Sequence, residues 1–292
     1  IQSDCGSNTS SLYGPLIFTT PCAPQTAPWS EDFENSGSIP TCWNQGSQNS
    51  DDWEFDNTGQ GHTGNSGTMG GSTSSGGYFA WVDDSSPHGI GTSLLSPLID
   101  LSSLTIPELS FYLISNNEGN TNVEFSIDVW DGDSWNEDFY TSNSNTENGA
   151  WEQIKLYFTN LNITGDIQLR FVVDETNGSD YYDDVAIDDI SISEAPACPA
   201  PTDFEIVNIG INDVLLQWTE NGTATQWDLI YGPVGFNPSA GGTTIIANSN
   251  PDTISGLTEN TAYDVYIQSD CGSNLTGPIS FTTNCLPLTA PW

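Results

Sequence analysis

Val123-Glu124-Phe125-Ser126-Ile127-Asp128-Val129 sets apolar and polar side chains in strict alternation, and Ile167, Leu169, Phe171 and Val173 do the same around Gln168 and Arg170. Successive side chains of an extended strand point to opposite faces, so a two-residue period marks strands with one buried face. Helical periodicity is almost absent, and the predicted class is all-β. Asp131-Gly132, between Trp130 and Ser134-Trp135, is a hairpin turn signal. Asp131, Asp133 and Asp138 resemble a calcium loop only loosely and lack its glutamate register, so a solvated turn is expected there.

A second pattern runs at long range. Ile1-Gln2-Ser3-Asp4-Cys5-Gly6-Ser7-Asn8 returns unchanged from Ile267 to Asn274. Phe18-Thr19-Thr20, Cys22 and Thr26-Ala27-Pro28-Trp29 return as Phe281-Thr282-Thr283, Cys285 and Thr289-Ala290-Pro291-Trp292. A fixed long period signals an array of modules. The expectation is a stretch of a longer polymer holding little more than one repeat. Residues 1–21 end one small module, 27–194 form a large β domain, 198–285 form the next small module, and 286–292 lead to a further repeat. Pro-marked stretches at 24–28 and 195–201 read as linkers.

In the 292-residue chain, 39 Asp and Glu face only Lys155 and Arg170, a formal net charge of -37. With no basic patch for phosphate, nucleic acid and anionic membrane surfaces are disfavoured as partners. Such self-repulsion opposes compaction unless ions screen it. That points to a saline or calcium-rich medium, or to an acidic surface that only keeps an array soluble. No apolar run approaches the roughly 20 residues that span a bilayer, so membrane insertion is not expected. Six Cys beside a single Met suggest an oxidising, extracellular compartment. Zinc is disfavoured, because there is no C-x-x-C and the only histidines are His62 and His88.

Within the small module, Cys198-Pro199-Ala200-Pro201-Thr202 opens the chain, Trp218 follows Val214-Leu215-Leu216, and Trp227 to Tyr231 make a third strand. Leu257 and Tyr263 in Gly256-Leu257-Thr258-Glu259-Asn260-Thr261-Ala262-Tyr263 match a tyrosine corner. This module resembles fibronectin type III, and residues 1–20 then read as the end of strand F and all of strand G of a preceding copy. In the large domain, Asp32-Phe33-Glu34, Cys42-Trp43-Asn44-Gln45, Asp52-Trp53, Leu95-Ser96-Pro97 and Ala186-Ile187-Asp188-Asp189-Ile190 occur in order. Together they resemble a MAM-type jelly roll, akin to adhesin modules of secreted proteins in gliding and marine Bacteroidota. The family's second internal Cys pair is missing. The fold expected from both resemblances is a MAM-like jelly-roll β-sandwich followed by a fibronectin type III β-sandwich.

The resemblances also imply a pairing of the cysteines. On the fibronectin strand assignment, Cys271 ends strand F and Cys285 follows strand G, roughly two dozen ångströms away at about 3.3 Å per residue. A disulfide needs Cα atoms within about 7 Å, so those two are not expected to pair, and Cys198 with Cys271 is the expected bridge. Cys22 with Cys42 matches the early bridge of MAM domains. Cys5 and Cys285 are left over. Each then bonds into a neighbouring repeat: Cys5 to an upstream equivalent of Cys198, Cys285 to a downstream equivalent of Cys42.

Asp188 and Asp189 sit in the apolar strand from Val185 to Ile192, with Ile187 expected on one face and Ile190 and Ile192 on the other. Alternation forces at least one carboxylate toward packed side chains, where an unpaired charge costs several kcal/mol. Structural calcium is the expected partner. By resemblance to jelly-roll adhesins, Glu34 and Asp83 complete its site; pairing with Arg170 or a solvent-facing bulge is the alternative.

His62 and His88 lie in Gly- and Ser-rich loops without a nucleophile motif, and carboxylate pairs for sugar hydrolysis cannot be told from the surplus of acids, so no catalysis is expected. Trp53, Trp81, Trp135 and Trp151, with the loops 57–77 and 141–149, are candidates for stacking on sugars, against a core role for each Trp. Asn-x-Ser/Thr occurs at Asn8, Asn162, Asn177, Asn221 and Asn274, and Asp252-Thr253-Ile254 resembles an O-glycosylation sequence at Thr253. The resemblance implies a structural, adhesive repeat of a long filament on the cell surface, serving attachment or gliding. Its partners are neighbouring identical repeats and cell-surface or environmental glycans. A glycan-binding accessory module of a large secreted enzyme is the alternative, and strand donation by residues 1–20 a third reading.

Overall fold

The computed structural model describes residues 21–46, 52–57, 77–83, 91–115, 123–142, 151–175, 184–272 and 274–286. Cys5, His62, His88, Asn8, Asn177 and most of the loops 57–77 and 141–149 lie outside them. The large domain holds β1 (Gln25–Thr26), β2 (Trp29–Glu31), β3 (Asn44–Gln45), β4 (Glu54–Asp56), β5 (Phe79–Val82), β6 (Thr92–Leu95) and β7 (Ile99–Asp100). It continues with β8 (Pro107–Ser115), β9 (Val123–Trp130), β10 (Trp135–Ser142), β11 (Glu152–Tyr157), β12 (Gln168–Glu175) and β13 (Val185–Glu194).

Two sheets face each other. One runs β10-β9-β12-β6-β3 and the other β11-β8-β13-β5-β4, with β2 also paired to β13. The alternating stretch around Ile127 is β9, and its inward side chains Phe125, Ile127 and Val129 meet Leu169, Phe171 and Val173 of β12 in one core. Phe171 is fully buried and lies within 6.1–6.5 Å of the rings of Trp43, Phe111 and Phe125. At the β9–β10 hairpin Gly132 takes φ +101, and a Cβ there would meet the backbone nitrogen of Gly165 at 2.4 Å, so only glycine fits.

β13 does not keep the strict alternation its sequence suggests. Its register against β8 shifts between Asp188 and Ser191, and Asp189 has φ +47. This bulge resets the phase, so Ile187, Ile190 and Ile192 all enter the same core instead of dividing between two faces.

The small domain holds β14 (Thr202–Ile209), β15 (Asp213–Thr219), β16 (Trp227–Pro233), β17 (Thr243–Ala247), β18 (Asp252–Ser255), β19 (Ala262–Ser269) and β20 (Leu275–Thr282). They form sheets β14-β15-β18 and β17-β16-β19-β20, the three-plus-four order of a fibronectin type III sandwich. The tyrosine corner is formed: the Thr258 N–H donates to the Tyr263 phenol oxygen at 3.1 Å, beside buried Leu257. Trp218 and Trp227 pack edge to face at 5.1 Å, and Glu220 anchors Trp227 by accepting from its Nε1 at 2.7 Å. The chain is all-β, and no helix among the described residues is long and apolar enough to cross a membrane.

Phe171→Ala removes a ring from a core that cannot collapse around the gap, at a cost of about 3–5 kcal/mol. In urea the jelly-roll transition is expected to move by that amount, with the small domain's transition unchanged.

Candidate functional site

The outer face of the β11-β8-β13-β5-β4 sheet carries the candidate residues. On β5, Ala80 and Val82 point into the main core, while Phe79 and Trp81 point outward. Register sets Ala186 beside Trp81 on one side and Ile114 on the other. Phe79, Trp81, Ile114 and Ala186 are all buried and form a second apolar layer, with the Trp151 ring 5.6 Å from Phe79. Trp81 Nε1 is buried without a hydrogen-bond partner among the described residues. Trp53 lies in the main core and donates through Nε1 to the Thr92 carbonyl at 3.2 Å. Neither Trp53 nor Trp81 therefore offers a ring to a sugar, and both are core residues. Trp135 is covered by the Arg170 guanidinium, 4.4 Å from its ring centre.

The carboxylates named from sequence lie around β13. Asp188, outward and only 2% exposed, sits opposite Tyr112, and its Oδ1 accepts the Asp189 N–H at 2.7 Å. Asp83 and buried Asp184 lie one residue beyond the Val82–Val185 pair. Glu34 accepts the Tyr78 N–H at 2.8 Å and occupies the space beside Gly77 where any side chain would stand. Glu31, opposite Ile190, accepts from the Phe33 N–H and from Trp43 Nε1; its burial raises its pKa and these bonds oppose the rise.

Both cations are engaged elsewhere: Arg170 with Asp128 at 2.7 Å and Glu137 at 3.6 Å, Lys155 with Glu108 at 2.9 Å. Burial and the Glu108 carboxylate push the Tyr157 phenol up to about 12. Among the described residues, no three His, Cys, Asp or Glu side chains converge as metal ligands.

The MAM domain family, meprin/A5/mu, matches residues 32–199, more than half of the chain. This chain belongs to the MAM family. MAM modules are typically extracellular, adhesion-type and non-catalytic. Among solved structures, the fn3 domain of human collagen alpha-1(XX) chain is 17% identical, covers 34% of this chain and 96% of its own, and has a TM-score of 0.29. The fn3 domain of human contactin 1 is 15% identical, covers 34% and 90%, and has a TM-score of 0.27. The small domain is placed by its own strand order. No curated protein sequence matches the chain.

Two disulfides bracket the MAM module. Cys22 joins Cys42 with Cα atoms 5.8 Å apart, and Cys198 joins Cys271 at 5.7 Å. Cys285 is free and exposed. Thr253 is exposed on β18. Asn221 is 2% exposed and donates through Nδ2 to the Ala200 carbonyl and to Thr202 Oγ1, so the folded chain closes this glycosylation sequence, whereas Asn162 and Asn274 are exposed. Asn221 Oδ1 also accepts from Thr159 Oγ1 of the MAM module at 3.4 Å, a contact between domains that no motif announces.

The Asp131 turn at the end of β9 is held by its own carboxylate. Hydrogen bonds from the Ser134 N–H, then from the Asn136 side chain and the Asp133 N–H, lower its pKa from 3.8 to about 2. A depressed folded-state value means that this stabilisation is complete above the unfolded value near 4 and is lost as pH falls through about 2. Glu31 acts in the opposite sense, its burial penalty appearing only as pH rises through the ordinary carboxylate range. The Asp131 carboxyl resonance is expected to titrate near pH 2; a midpoint near 4 would refute the capped turn.

Proposed function

We propose that this chain is a non-catalytic repeat of a long extracellular surface filament or adhesin in which MAM and fibronectin type III modules alternate, serving attachment or gliding. One observation carries the reading. Cys22, clamped to the MAM module through Cys42, stands in the repeated segment that recurs after the small domain, where Cys285 is exposed and unpaired. Each small domain is then stapled to the MAM module that follows it, and neighbouring repeats are the chain's first partners. The acidic surface keeps successive repeats apart and soluble, and cell-surface or environmental glycans are the ligands proposed for the exposed loops. A glycan-binding accessory module of a secreted enzyme differs in needing only one or two copies.

Calcium at the Asp188–Asp189 bulge, with Glu34 and Asp83, stands only as a proposal from charge and resemblance, since the described residues form no ligand set. A melting temperature raised by millimolar calcium and lowered by chelator supports it, and equal melting temperatures remove it.

The filament reading is checked in a protein of residues 1–292 followed by residues 30–292. Mapping of disulfide-linked peptides by mass spectrometry is expected to join the first Cys285 to the second copy's Cys42. Cys285 left as a thiol, or joined to Cys5 of its own copy, would sink the proposal.

A further inference from the structure

The chain enters and leaves the MAM module at one pole. β2 runs antiparallel to β13 with Trp29 opposite Ile192, so the chain comes in where β13 goes out. The segment between β7 and β8 ties the two together. Ser103 Oγ donates to the Ala27 carbonyl at 2.6 Å, the Ala195 N–H donates to the Ile106 carbonyl at 2.8 Å, and Glu194 accepts from the Thr105 and Ile106 N–H groups. β5 and β8 end at the opposite pole, where Val82 and Ser115 both meet Val185 at the start of β13. The small domain that follows rests on the shared pole through the Thr159–Asn221 contact, beside a cleft of about 190 Å³.

On the tandem-repeat reading, a preceding small domain would be tethered close to the same pole. In the copy seen here, the sandwich holds the chain through Thr283, which is 2% exposed, donates through its N–H to the Thr261 carbonyl and through Oγ1 to the Thr258 carbonyl. The repeat aligns Thr283 with Thr20, Asn284 with Pro21 and Cys285 with Cys22. Asn284 is held as well, its N–H donating to the Gly210 carbonyl at 2.9 Å and its Nδ2 to the Ile209 carbonyl at 2.6 Å; Pro21, which stands in its place without either donor, is the one residue between the aligned Thr20 and a cysteine clamped to the MAM module. Around Cys22 and Cys42 lies a concavity of about 600 Å³ lined by Thr41, Trp43, Pro97, Leu98 and Gln168, with Leu98 36% exposed.

We infer that this concavity is the seat of the preceding repeat's small domain, so that two small domains meet on one pole of the MAM module and the module projects sideways from them. The occupant is a second copy of the domain formed here by residues 202–284. The inference rests on the tandem-repeat reading and gives it a shape: small domains form the axis, MAM modules are side arms, and the pole far from the joint faces outward.

The test uses residues 198–266 fused ahead of residues 1–292, which rebuilds the upstream small domain in register with the repeat. Small-angle scattering is expected to show three bodies meeting at a vertex. The maximum dimension should fall short of an in-line rod by about 33 Å, the length of the ten-residue strand β13 at ~3.3 Å per residue. Leu98→Glu should broaden the distribution of dimensions while leaving the melting of residues 1–292 unchanged. An in-line rod, or a distribution identical before and after Leu98→Glu, overturns the inference. Because this protein contains both joints whatever the parent's length, its outcome is separate from the mapping of Cys285.

Discussion

The jelly roll depends on how β13 is shared among its neighbours. β8 pairs along one edge of it, while β5 and then β2 pair along the other. A ten-residue strand with three partners tolerates no error of phase, since a slip of one residue would send its isoleucines to the wrong face. The bulge at Asp188–Asp189 gives β13 the extra residue that keeps Ile187, Ile190 and Ile192 inside. Before the bulge, Ala186 and Asp188 face outward, Ala186 within the Phe79–Trp81 layer.

Alternation around Ile127 and Phe171 was enough to read the class and the main core, because side-chain direction in a strand follows position alone. The tyrosine corner was legible for a similar reason: Leu257 and Tyr263 are a local device with a fixed spacing. β13 is less legible. Nothing in Ile187-Asp188-Asp189-Ile190 says that one residue will adopt a positive φ, which depends on pairing with β8. The outer aromatic layer is not legible without the strand register, although Phe79 and Trp81 flanking Ala80 do alternate large with small. Trp53 and Trp81 illustrate the general difficulty, for an indole looks the same in sequence whether it meets a ligand or a core.

Charge decides what the site residues can do. With two cations in the chain, each is fixed against a buried or nearly buried carboxylate, Asp128 or Glu108, and neither reaches across to serve the acids along β13. Backbone N–H groups take that part instead, at Glu31, Glu34 and Asp188. The turn at Asp131 uses the same means, and so does Asp264, whose pKa is lowered by the Gly235 N–H and the Ser280 hydroxyl. An acidic chain of this composition is held by amide hydrogens where a mixed one would use lysine and arginine.

The bond between Cys198 and Cys271 closes β14 to β19 into a loop with its two ends 73 positions apart in sequence. A pull on the termini crosses that loop through two sulfur atoms, and of the small domain's strands only β20 lies on the loaded path. Likewise the Cys22–Cys42 bond, 20 positions apart, takes β1 and β2 out of the line of force. Reduction would add both loops to the contour length, at up to roughly 3.3–3.6 Å per residue. How far the oxidised molecule can be drawn out is therefore set first by its sulfur chemistry, and only then by its hydrogen bonds.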